Sequence, residues 1–124
     1  STSTIFGPLA QMGINVQLGL DYCAGEEDFY LEMLEMFSSQ GKERKEEIIS
    51  LYESANWADY AVKVHALKST ALTIGAEQLS EQAKALEMAG KNKDTEYIQT
   101  TPHCFASTMR SVNVLPDYYS SSIP

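Results

Sequence analysis

From Tyr30 to Ala55 the chain holds a single helical phase. Apolar residues fall at Tyr30, Met33, Leu34, Phe37, Ile48, Leu51 and Ala55, with Gly41, Arg44 and Lys45 on the same stripe between them. Steps of three and four residues place side chains on one face of an α-helix. A stripe this long predicts one helix over 26–54, and other helices must then cover it. Gly41 is the weak point, because glycine costs ~1 kcal/mol in a helix interior. The alternative is a break at Ser38-Ser39-Gln40-Gly41. Glu26-Glu27-Asp28 stand where the helix begins and suit the positive end of its dipole.

The following stretches keep the same period. Asn56 predicts an N-cap, with Asp59 three residues on in a near capping box. The helix it starts runs over 57–74 with Trp57, Tyr60, Ala61, Val64, Leu67, Ala71 and Ile74 inward. Gly75 ends it, or lets the next helix approach closely. A helix over 77–89 turns Leu79, Ala83 and Leu86 inward and stops at Gly90. A last one over 94–115 carries Ile98, Phe105, Met109 and Val112 and kinks at Pro102. Ahead of them all, Asn15 caps a short helix to about Cys23, and Gly25 closes it.

No stretch shows the period-two alternation of a half-buried strand. The expected fold is all-α: an up-down-up-down four-helix bundle with a short extra N-terminal helix, monomeric, over 14–115. Residues 1–13 read as a loosely packed lead-in broken at Gly7-Pro8, and 116–124 as a flexible tail.

Bulk properties narrow the function classes. A chain of 124 residues fits one domain. Its net charge is −8, with the acid excess almost wholly before residue 57, whereas a nucleic-acid binder carries a basic face. No apolar run approaches the ~20 residues of a membrane helix, so no membrane contact is expected from this stretch. Cys23 and Cys104 lie far apart with no CxxC, which predicts a reduced, cytoplasmic setting. Ser1-Thr2-Ser3-Thr4 has neither an initiator Met nor a signal-peptide pattern, so the chain reads as cut from a longer protein.

The chemistry converges on one residue. His65 and His103 stand apart with no HxxxH spacing, so no metal site is expected. His103 follows Pro102 without a neighbouring lysine and reads as structural or surface. Lys68-Ser69-Thr70 matches the end of a phosphate-binding loop, but the preceding glycines are absent. Ser69 is one turn from His65, yet nothing implies a pocket for a catalytic triad.

His65 is offset from the inward stripe and shares a strip with Ala61, Lys68, Ser69 and Leu72. Taken alone, a helix-surface histidine is a bland feature. Here Lys68 at i+3 brings a cation to ~5–6 Å at the Cβ level. Ser69 leaves space beside the ring, and the strip lets a second protein lie flat. A neutral imidazole is a nucleophile near pH 7. Lys68 is expected to disfavour the imidazolium and later to face the charge of an attached phosphoryl group.

The pattern His65-x-Leu67-Lys68-Ser69-x-Ala71, with Gly75 and Ala76 after it, resembles the phosphorylated helix of histidine-containing phosphotransfer (HPt) domains. The run Leu79, Ala83, Leu86, Glu87 resembles that family's next helix. The resemblance implies a helical bundle that is a phosphocarrier, not an enzyme. It implies His65 as phosphoacceptor and Lys68 as its supporting cation. Ser69, Leu72 and Gly75 would belong to the receiver-docking face and the helix approach. Ser69 stands where the family most often has Gly, which keeps the site small but narrows the partner geometry it tolerates.

The implied partners are response-regulator receiver domains, with Mg²⁺ supplied by the receiver and no cofactor of its own. A hybrid sensor histidine kinase in cis is the implied context, although the family has free-standing members too. A catalytically silent helical adaptor that keeps the fold without using His65 stays open beside this reading.

Overall fold

The computed structural model describes residues 6–11 and 13–100. They form six helices: α1 (Gly7–Gln11), α2 (Val16–Tyr22), α3 (Glu27–Glu53), α4 (Trp57–Thr73), α5 (Glu77–Lys91) and α6 (Thr95–Thr100). No strand occurs among the described residues. The architecture is a helical bundle with extra N-terminal helical turns. The remainder of the helix expected over 94–115, with Pro102, His103 and Cys104, lies outside the described residues, as does the expected tail.

Helix α3 runs unbroken through Gly41, which is buried along with Tyr30, Leu34, Phe37 and Ile48. The continuous stripe therefore outweighs the single glycine, as tertiary burial usually outweighs propensity. Short turns send α4 back along α3 and α5 back along α4. Lys63 meets Glu47 at 3.4 Å, and the Trp57 ring meets Tyr52 edge-on at 6.0 Å. On the other side, the Ser80 hydroxyl donates to the Lys68 carbonyl at 3.0 Å. Helix α4 is thus central, covered by α3 and most extensively by α5. Val64, Leu67, Ala71, Ile74, Leu79 and Ala83 are fully buried between them. Losing one such leucine to alanine costs ~2–5 kcal/mol.

Two sequence expectations are corrected. Residues 6–11 are not a loose lead-in. Phe6 and Leu9 are 2% and 0% exposed, and Phe6 packs edge-on against Tyr30 at 5.2 Å between ring centres. Gly7-Pro8 opens a helix here, because a first-turn proline lacks only an N–H that has no helical partner anyway. Gly90, in turn, does not stop α5. The helix continues to Lys91, and Lys93 takes the left-handed turn at φ 55°. Gly90 is used for packing, since a Cβ there would lie 3.2 Å from Tyr60 Cδ1 and 3.4 Å from Ala61 Cβ.

The turn between α4 and α5 is pinned to α2. Gly75 has φ +84°, and a side chain there would collide with the Asn15 carbonyl. The Asn15 N–H donates to the Gly75 carbonyl at 2.8 Å, while the Asn15 side chain caps α2 by accepting from the Leu18 N–H. Next to this contact the Tyr30 hydroxyl donates to the Ile74 carbonyl at 2.8 Å. The short N-terminal helices therefore anchor the end of the helix that carries His65. No described helix is long and apolar enough to cross a membrane.

Candidate functional site

His65 lies midway along α4, on the face that the inward stripe leaves free. Its neighbours in that stripe, Val64 and Leu67, are fully buried, while its own side chain is 56% exposed. Ring atom Nδ1 sits 2.7 Å from Glu87 Oε2 on α5. Glu87 also accepts from Lys68 Nζ at 2.8 Å through Oε1 and from Lys91 Nζ at 3.1 Å through Oε2. One carboxylate thus joins a histidine and two lysines from two helices.

The Glu87 side chain is only 5% exposed, because its own partners cover it. Its pKa is held at about 2 against an ordinary 4.5. The hydrogen bond from Lys68 is the main cause; burial works the other way, and the bonds from Lys91 and His65 add to the lowering. Near neutral pH Glu87 is therefore an anion with no proton to give. A 2.7 Å contact to such an oxygen requires the hydrogen to be on Nδ1. In a neutral ring, that leaves the lone pair on Nε2.

The environment of the ring differs from the sequence expectation. One cation was expected beside it; instead Lys68 turns its ammonium onto Glu87, and the group in direct contact with the ring is an anion. Sequence reasoning gave Glu87 no role, yet a signal was present. Glu87 falls in phase with the inward residues Ala83 and Leu86, and a carboxylate on a buried stripe requires cationic partners. Lys91 stands one turn further on the same helix.

The other sequence-derived residues separate. Ser69 is exposed and Leu72 half-buried, both on α4 beyond Lys68. Gly75 is buried against α2 and forms no part of an exposed docking face. It stands just past the end of α4 at φ +84°, as a helix-ending glycine does, and admits the start of α2 closely.

Beside His65 an open groove of about 530 Å³ runs along the crossing of α4 and α5. Trp57, Ala58, Ala61 and Val62 form its apolar wall, and Lys91 and Lys93 line its other side. Val62 is 65% exposed on that wall.

The exposed His65 ring, the charge network behind it and the groove beside it thus share one open face of α4 and α5. A search of curated proteins and one of solved structures return no match. A family model, that of the Hpt domain, matches residues 32–114, more than half of the chain and the whole of the His65 site. The chain belongs to the Hpt domain family, the phosphocarrier modules of phosphorelays.

Proposed function

We propose that His65 accepts a phosphoryl group from the aspartate of one receiver domain and passes it to the aspartate of another. The observation that carries this is the bond from Nδ1 of His65 to Glu87, which leaves Nε2 as the nucleophile on an exposed ring. Phosphoryl transfer asks for in-line positioning and charge stabilisation. The Nε2–P bond forms as the bond from phosphorus to the donor aspartate oxygen breaks, and that aspartate leaves as a carboxylate. The ring becomes an N-phosphoryl imidazolium whose Nδ1 proton stays on the hydrogen bond to Glu87. The anion opposes the charge that develops on the ring. Run backwards, the same steps discharge the group to the next receiver, because a protonated ring is the better leaving group.

Among the described residues no three His, Cys, Asp or Glu side chains gather into a metal-binding group. In this proposal the partner brings the acyl phosphate, Mg²⁺ and the acidic pocket around them, and the apolar groove beside His65 receives the partner's surface. The wider context would be a phosphorelay that includes a hybrid histidine kinase.

Two incubations followed by mass spectrometry test the proposal. A phosphorylated receiver domain with Mg²⁺ should place acid-labile, base-stable phosphate on His65, and ATP with Mg²⁺ should place none. Labelling from ATP alone, or no labelling by any receiver, would contradict it. The second of those results would favour the silent adaptor.

A further inference from the structure

We infer that Lys91 is a phosphoryl-holding cation, which exchanges Glu87 for the phosphoryl oxygens once His65 is modified. This rests on His65 being the phosphoacceptor. Three partners share Glu87 unequally. Lys68 has Oε1 to itself at 2.8 Å and is 27% exposed. Lys91 shares Oε2 with the His65 ring, at the longer distance of 3.1 Å, and is 60% exposed. If Lys91 leaves, Glu87 keeps a partner on each oxygen and the carboxylate stays satisfied. If Lys68 leaves, Oε1 loses its only cation among the described residues. Lys91 is therefore the partner that can depart with little cost.

Helix geometry gives it somewhere to go. Side chains on an α-helix lean toward the N-terminus, so the His65 ring lies over the turn of Ala61 and Val62. Because α5 runs antiparallel to α4, Gly90 faces Ala61, and Lys91 is the next residue. Lys91 and His65 line the same groove with Ala61 and Val62. Lys68 stands one turn on the other side of His65. The two lysines thus bracket the ring, Lys68 from the C-terminal side and Lys91 from the side toward which the ring leans. A lysine has four rotatable methylenes and a compact charge, which suits a move of this kind. A phosphoryl group carrying nearly two negative charges competes well with half a carboxylate oxygen.

The test needs no protein partner. Phosphoramidate can phosphorylate the full chain directly: Nε2 attacks phosphorus, the Nε2–P bond forms, and ammonia leaves as the original P–N bond breaks. Phosphorus NMR then gives the titration midpoint of the bound phosphoryl group, and its decay gives the lifetime. Lys91→Ala should raise the midpoint by roughly half a pH unit, as expected for removing one nearby charge at a solvent-exposed site. The lifetime should shorten by about three-fold. Lys91→Arg should restore both, which a purely structural role of the side chain would not explain. An unchanged midpoint and lifetime in phosphorylated Lys91→Ala would overturn the inference and leave His65 as phosphoacceptor intact. Absence of phosphate on His65 in the unaltered chain would overturn both.

Discussion

Glu87 Oε2 holds Nδ1 of His65 at 2.7 Å from the neighbouring helix, and so determines which ring nitrogen faces solvent with a lone pair. The network that makes this possible is built from charge. Lys68 and Lys91 keep Glu87 ionised, and an ionised Glu87 can only accept.

Replacing the charge while keeping the shape isolates this effect. Glu87→Gln should slow transfer from a phosphorylated receiver by about 10- to 100-fold, the range of a positioned proton partner. Single-turnover kinetics would measure it. An unaltered rate with the fold intact would remove Glu87 from the mechanism.

Lys68 is the main reason that Glu87 titrates near 2 instead of 4.5. Lys68→Ala should therefore move the Glu87 titration up toward the ordinary carboxylate range, visible by carbon NMR of its side-chain carboxyl. It should also slow transfer, since the anion behind the ring is then less firmly held. A Glu87 midpoint still near 2 would mean that Lys91 and His65 suffice.

Acid stability follows from the same shift. The folded protein keeps Glu87 ionised down to about pH 2, while in the unfolded chain it takes up a proton near 4.5. The stabilisation is fully present above pH 4.5 and is lost as the pH falls from there toward 2. The partners reach into solvent, so screening limits the contribution to ~1 kcal/mol. Urea melts at pH 6 and pH 3 should show a loss that Glu87→Gln does not share.

The anchor at the far end of α4 is steric. Gly75→Ala would force a methyl group into the Asn15 carbonyl at φ +84° and should cost at least ~2 kcal/mol. Gly19→Ala meets the Tyr30 ring and the Ile74 carbonyl and should be similarly severe. Thermal melts of each variant check this, and a melting temperature within a degree of the original would show that the turn can yield.

These sites also mark how far sequence reasoning reaches. The helices over 27–53, 57–73 and 77–91 were legible because their stripes are long, and the start of the second also because Asn56 caps it with its side chain. His65 was legible because it breaks phase with Val64 and Leu67. Glu87 was not read as part of the site, since its partners His65 and Lys68 lie on another helix and no local pattern joins them. Gly90 was misread for a related reason. A glycine near a helix end suggests a stop, and only the approach of Tyr60 reveals a packing role. Phe6 is buried against a ring distant in sequence, Tyr30, and no local rule supplies that contact.

In the proposed transfer, Nε2 of His65 carries the phosphoryl group in transit. Nitrogen NMR of the chain labelled with ¹⁵N-histidine, recorded before and after incubation with a phosphorylated receiver and Mg²⁺, tests it most directly. A hydrogen on Nδ1 before transfer and phosphorus coupling to Nε2 of His65 afterwards are expected. Phosphorus on Nδ1, or on His103 with His65 unchanged, would contradict it.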